Sequence, residues 1–185
     1  MVSLQPPLCD FGWKAVDFQL PGVDGKQYSL DYAKGSKGLL VMFICNHCPY
    51  VKSIREKMVS TTSELQTYGI KSIAIMSNDP AEYPEDSFDN MRLEAKRHNY
   101  PFPYVWDETQ QVAKDYGAVC TPDFFGFNAS LELQYRGRLD ASRKQGVSDA
   151  PRELFEAMRQ IAITGTGPTV QFASMGCSIK WKGVV

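Results

Sequence analysis

A chain of 185 residues is long enough for one domain with a substantial core and too short for two, and its 43% hydrophobic and 22% charged residues are ordinary for a globular protein. A formal net charge of -1 gives no broad attraction for nucleic acid or anionic membrane. No stretch approaches the roughly 18 consecutive apolar residues of a bilayer span, and Met1 to Gln19 lacks the basic start and apolar run of a secretory signal, so the expectation is a cytoplasmic protein with no nucleic-acid or membrane partner.

Residues 1–14, with Pro6 and Pro7 and no period, read as an extended N-terminal arm, residues 15–163 as the domain, and residues 164–185 as a C-terminal tail. Ala15 to Leu20 and Gln27 to Leu30 flank Pro21-Gly-Val-Asp-Gly25, which predicts an N-terminal hairpin. The uninterrupted apolar run Leu39 to Ile44 suits a strand buried on both faces. Pro49 then opens a helix on which Val51, Ile54, Met58 and Leu65 share one side. Ile70 to Met76 is a second apolar strand that ends at the loop signal Ser77-Asn-Asp-Pro80. A helix from Phe88 to His98 stops before Pro101, Tyr104-Val-Trp106 is a short strand, and Glu108 to Tyr116 is a short helix closed by Gly117. Val119 to Phe127 and Leu131 to Tyr135 form a hairpin, with Arg136 and Arg138 expected to project from its edge. A last helix, capped by Ser148 or Asp149 and entered through Pro151, carries Leu154, Phe155, Met158, Ile161 and Ala162 on one face. Strands alternating with helices early and a hairpin late predict an α/β fold with a central mixed sheet flanked by helices.

The chemistry concentrates at Cys45-Asn-His-Cys-Pro-Tyr50. Five cysteines in a chain of this size are not a disulfide framework, and a Cys-x-x-Cys pair in a reducing compartment points to redox work or metal binding. Cys48 falls at the helix N-terminus, where unpaired backbone N–H groups and the macrodipole favour thiolate over thiol, and Pro49 shapes that turn. His47 adds positive charge when protonated. Cys45 reaches Cys48 if the loop curls, which supplies a nucleophile and a resolving partner. Zinc wants four ligands and only His47 is near as a third, so no metal or cofactor is assigned, with a copper- or zinc-binding module as the non-enzymatic alternative. Cys120, beside Pro122, and Cys177, in a tail able to fold back as a second resolver, are further candidate thiols, while Cys9 has no assignment.

The order of elements, Cys45-Asn-His-Cys-Pro-Tyr50, Phe102-Pro-Tyr104, Ala118-Val-Cys-Thr-Pro-Asp-Phe-Phe125 and Tyr135-Arg-Gly-Arg138 together resemble the thioredoxin-like superfamily, and within it the redoxin branch of alkyl hydroperoxide reductase and thiol-specific antioxidant proteins. The resemblance implies a thioredoxin-like fold in which Thr121-Pro122 is a cis-proline loop facing the reactive thiol. Thioredoxins place their nucleophile four intervening residues after the last Phe of the strand; from Phe43 this reaches Cys48, and the usual resolving position is Val51. That leaves Cys45 as first-choice resolver, in the loop before the helix. The Pro and Thr/Ser that shape the peroxide pocket of peroxiredoxins correspond here to Val41 and Cys45, a departure that places the peroxidase reading second. Copper-chaperone relatives share the His-Cys-Pro step, but their second Cys corresponds to Lys52. The expectation is therefore a thiol:disulfide oxidoreductase acting on a protein or small-molecule disulfide, or else on a hydroperoxide, and recycled by a thiol reductant such as thioredoxin or glutathione.

Overall fold

A computed structural model describes residues 3–7 and 9–183. In chain order the elements are β1 (Ser3–Leu4), β2 (Gln19–Pro21), β3 (Gln27–Ser29), α1 (Leu30–Ala33), β4 (Gly38–Phe43), α2 (Pro49–Gln66) and β5 (Ile70–Met76). A short 3-10 turn at Pro84–Asp86 precedes α3 (Phe88–Arg97), β6 (Tyr104–Trp106), α4 (Gln111–Asp115), β7 (Cys120–Thr121), β8 (Asp123–Asn128), β9 (Leu133–Gly137), α5 (Glu153–Thr164) and β10 (Gly176–Ser178).

The apolar run is the middle of the molecule. β4 is the central strand of a five-stranded sheet ordered β6-β5-β4-β8-β9, parallel to β5 and antiparallel to β8. Every residue of β4 is buried, because helices or hairpin cover both faces. Successive side chains of a strand point to opposite faces, and the alternation sorts them into two cores. Leu40 and Met42, with Ile44 just beyond the strand, pack with Val51, Ile54 and Met58 of α2, Met91 of α3 and Leu154 and Met158 of α5. Leu39, Val41 and Phe43 pack with Phe18, Leu20 and Tyr28 of the N-terminal hairpin and Val112 and Tyr116 around α4. Each such side chain contributes about 1.5–3 kcal/mol on full burial. Gly38 opens the strand where a Cβ would lie 2.2 Å from the carbonyl oxygen of Phe127 on β8, so no larger residue admits that approach.

The structure corrects three local expectations. α5 begins at Glu153 with Arg152 at its N-cap and no capping side chain, so neither Ser148 nor Asp149 caps it; Glu153 and Glu156 supply the negative charge of the first turn instead. α4 is shorter than 108–116 because Gln110 has φ +64 and cannot continue a helix backwards. Arg136 and Arg138 do not project. Arg136 is buried, its Nη2 3.1 Å from Asp123 Oδ2 and its guanidinium 4.5 Å above the Phe125 ring, while Arg138 forms a two-bond pair with Glu153 at 2.8 and 2.7 Å. Both follow from α5 and the C-terminal segment covering β9, where Gln171 accepts from the Arg136 backbone N–H.

The C-terminal segment is itself structured. β10 is the middle of a three-stranded antiparallel sheet, β1-β10-β7, so Ser3–Leu4 and Gly176–Ser178 meet beside the Thr121–Pro122 loop. Among the described residues no helix is long and apolar enough to cross a membrane.

Candidate active site

β4 ends at Phe43 and the loop 44–47 carries the chain across the sheet's C-terminal edge to Cys48, the N-cap of α2, with Pro49 in the first turn. Pro49 fits there because its missing N–H has no intrahelical partner to lose. The Thr121–Pro122 peptide bond is cis, as the resemblance implied. The Cys48 thiol lies 3.2 Å from the Thr121 carbonyl oxygen and 2.8 Å from the Cys177 thiol, beyond the 2.03–2.05 Å of a disulfide. Cys45 Sγ is 3.2 Å from Thr121 Oγ1 and 3.7 Å from His47 Nδ1. The structure thus gathers Cys45, His47, Cys48, Pro49, Thr121, Pro122 and Cys177. Cys120 stands apart: its one thiol hydrogen bond among the described residues is to the Pro122 carbonyl at 3.9 Å, and burial pushes its thiol well up. Cys9 lies beside Arg136 and Gln171, its thiol pushed up to about 11 by burial.

The electrostatics divide the three gathered thiols. Cys48 is held well below the ordinary thiol value, first by the hydrogen bond that Cys177 donates, then by Cys45, with the backbone N–H groups of Val51 and Cys177 adding to it against the cost of burial. The Thr121 carbonyl accepts only from the neutral thiol. Cys177 is raised by that same donation to Cys48, then by burial and the Cys48 charge, while Lys180 and Lys144 pull it down. Cys45 is raised by burial first, then by its hydrogen bond to Cys48 and by the Asp86 and Cys48 charges, against the pull of its hydrogen bond with Thr121. When Cys48 is oxidised its charge disappears. Cys177 then keeps burial and two cationic neighbours, whereas Cys45 keeps burial and the Asp86 charge, opposed by its hydrogen bond with Thr121.

A buried bracket fixes the loop. Asp86 Oδ1 accepts from the backbone N–H groups of Asn46 at 2.8 Å and His47 at 3.2 Å, and Oδ2 accepts from His47 Nδ1 at 2.6 Å and Asn78 Nδ2 at 2.7 Å. Burial alone would raise the Asp86 carboxyl, but hydrogen bonds from His47, Asn78 and Asn46 hold it below the usual carboxylate value. His47 stacks on Tyr83 with ring centroids 4.1 Å apart. Asn46 is held in turn by Tyr104, whose hydroxyl donates to its Oδ1 at 3.0 Å. Nothing in the sequence pointed to Asp86; it sits in a stretch with no period, and only the fold brings it under the loop.

Cys45, His47 and Asp86 are also the group of metal-donor side chains that converge among the described residues. A tetrahedral ion bound to both His Nδ1 and a carboxylate oxygen at about 2.0–2.2 Å would hold those atoms roughly 3.3 Å apart, but here they are 2.6 Å apart in a hydrogen bond. Both Asp86 oxygens already accept two hydrogen bonds each. The arrangement fits a scaffold for the cysteine loop and does not fit a metal centre.

No curated protein matches the chain. Among solved structures it is similar to an uncharacterized conserved protein from Geobacillus kaustophilus, with 41% identity and a TM-score of 0.93 over 100% of this chain and 99% of that one. A hypothetical protein from Sinorhizobium meliloti 1021 is 37% identical with a TM-score of 0.90, covering 97% of this chain and 99% of the other. The thioredoxin domain of a thiol-disulfide oxidoreductase from Bacteroides vulgatus, at 16% identity and a TM-score of 0.57 over 72% of this chain and 89% of that one, shares the thioredoxin-like fold. The sheet order, the cysteine at the head of α2 and the cis-proline loop opposite it all lie within residues 11–141, which match the AhpC/TSA family, and the chain belongs to that family.

Proposed function

We propose that this protein is a thiol:disulfide oxidoreductase in which Cys48 is the nucleophile and Cys177 the resolving thiol. Membership of the AhpC/TSA family supports a thiol oxidoreductase or peroxidase role in general. The observation that carries the finer reading is the 2.8 Å approach of Cys177 Sγ to Cys48 Sγ at the head of α2. Sequence reasoning favours Cys45 as resolver; the geometry and the charges beside each thiol favour Cys177.

The Cys48 thiolate attacks one sulfur of a substrate disulfide, forming a Cys48 mixed disulfide and expelling the other sulfur as thiolate. Cys177 gives up its proton, attacks Cys48 Sγ and releases the second substrate thiolate, leaving a Cys48–Cys177 disulfide. Two electrons have passed from the protein to the substrate, and an external thiol reductant such as thioredoxin or glutathione restores both thiols. A hydroperoxide would enter by the same attack, its O–O bond breaking to give Cys48 sulfenic acid and an alcohol or water, with Cys177 condensing to expel water. Val41 and Cys45 stand where peroxiredoxins use Pro and Thr/Ser, which favours disulfide exchange.

Comparing the rates of small-disulfide and hydrogen-peroxide reduction for wild type, Cys45→Ser, Cys48→Ser and Cys177→Ser tests this. The expected order is loss in Cys48→Ser, a stalled mixed disulfide in Cys177→Ser, and near-normal turnover in Cys45→Ser. A Cys45→Ser variant that stalls while Cys177→Ser turns over would reverse the resolver assignment. A second expectation concerns pH. Cys177→Ala removes the leading donor to the Cys48 thiolate, so the thiolate absorbance of Cys48 should titrate higher, towards about 8.5. An unchanged titration would mean that the helix terminus alone sets its acidity.

A further inference from the structure

We infer that the C-terminal strand β10 is a self-supplied occupant of the polypeptide-binding edge beside Cys48, and that Gly176 makes this occupancy possible, so the closed protein admits small oxidants and excludes polypeptide disulfides. The inference rests on Cys48 as the nucleophile. A strand edge with free N–H and C=O groups next to a reactive thiol is a site where an extended peptide adds by main-chain hydrogen bonds. Here that edge belongs to β7, and the chain's own residues fill it: Cys177 pairs with Thr121 and Ser178 with Cys120, antiparallel. β1 closes the outer edge, Ser3 opposite Cys177 and Leu4 opposite Gly176. The Cys177 thiol stands against Cys48 Sγ as a cysteine of a bound peptide would. The consequence for access is direct, since Cys48 is 0% and Cys177 2% exposed.

Gly176 is the residue that permits this contact. A Cβ there would lie 2.0 Å from the Thr121 carbonyl oxygen and 3.0 Å from Pro122 N, both backbone atoms unable to give way. Anchors on either side hold the strand down. Ser174 Oγ donates to the Gly137 carbonyl, Ile179 N–H to the Val119 carbonyl at 3.0 Å, and Lys180 N–H to Asn78 Oδ1 at 2.9 Å. Gln110 holds the end of the segment, donating to the Lys180 carbonyl at 2.7 Å and accepting from Lys182 N–H at 2.8 Å. A polypeptide must break the β7–β10 pairing to enter. A small oxidant needs only a local opening, and a cleft of about 50 Å³ between Tyr50, Pro122, Ser174 and Met175 already borders the strand.

The test compares hydroxyethyl disulfide with insulin as oxidants of wild type, Gly176→Val and Gln110→Ala, alongside iodoacetamide alkylation of Cys48. Wild type is expected to reduce hydroxyethyl disulfide but insulin only slowly. Gly176→Val, with β10 forced off, is expected to gain about tenfold or more in Cys48 alkylation and in single-turnover formation of a Cys48–insulin mixed disulfide, which then stalls because Cys177 leaves with the strand, and Gln110→Ala to move both rates the same way by less. Wild type forming the insulin mixed disulfide as fast as both variants, with equal alkylation, would overturn the inference while leaving Cys48 as nucleophile. A gain that survives in Gly176→Val/Cys48→Ser would instead overturn the nucleophile assignment.

Discussion

Cys48→Ser is expected to lower turnover with any disulfide by about a thousandfold or more, because a serine hydroxyl at neutral pH is a far weaker nucleophile than a thiolate. The substitution separates chemistry from folding. Cys48 occupies the N-cap of α2 with no side-chain capping bond, and serine is among the best residues for that position. The variant should therefore fold and melt within about 1 kcal/mol of wild type. Circular dichroism and thermal unfolding beside a stopped-flow assay give both numbers. Retained activity in a folded Cys48→Ser protein would move the nucleophile to another thiol, with Cys45 first in line.

Asp86→Ala is expected to be the most destabilising single change around the site, costing about 3–5 kcal/mol. It leaves the backbone N–H groups of Asn46 and His47, the His47 Nδ1–H and the Asn78 amide without their acceptor. Each unpaired buried donor costs about 1–3 kcal/mol, part of which relaxation recovers. For a protein of this size the melting temperature should fall by roughly 10 °C. The sign of the pH effect follows from the Asp86 carboxyl being held below its ordinary value. Such a group contributes stability above the unfolded value of about 3.9 and loses it as pH falls through the native value. The gap between wild type and Asp86→Ala should be full at pH 7 and narrow below about pH 4. A fall of less than about 2 °C at pH 7 would mean that the loop holds its shape without the carboxylate. Asn78 links this bracket to the tail, since it donates to Asp86 and accepts from Lys180. Loosening Asp86 should therefore raise Cys48 alkylation as well.

The middle of the fold was legible because the physics there is local. An unbroken apolar run needs cover on both faces, Pro49 needs a helix start, and the 3.6-residue spacing of Val51, Ile54, Met58 and Leu65 needs one core; β4 and α2 follow directly. Thr121–Pro122 came from resemblance, because no pattern in the residues alone marks its isomer. What escaped the sequence is what long-range closure decides. β10 is three residues, Gly-Cys-Ser, with no apolar alternation, and its cysteine meets a partner 129 positions away. Asp86 lies between the loop signal ending at Pro80 and the helix at Phe88, where no pattern marks it, yet it accepts four hydrogen bonds beneath the cysteine loop. Arg136 looked like a surface residue until a buried Asp123, pushed up to about 6 by burial against the pull of that arginine, appeared beside it. The pairings between sequentially distant polar groups carry no periodic signal.

The most direct measurement is the disulfide that forms when the reduced protein meets one equivalent of a small oxidant. Trypsin releases Cys45 and Cys48 together in residues 38–52 and Cys177 in residues 160–180. The predicted product is a cross-link between these two peptides that persists in Cys45→Ser and vanishes in Cys48→Ser. Peptide 38–52 recovered two hydrogens lighter and linked to nothing would place the bond between Cys45 and Cys48, and would contradict Cys177 as the resolving thiol.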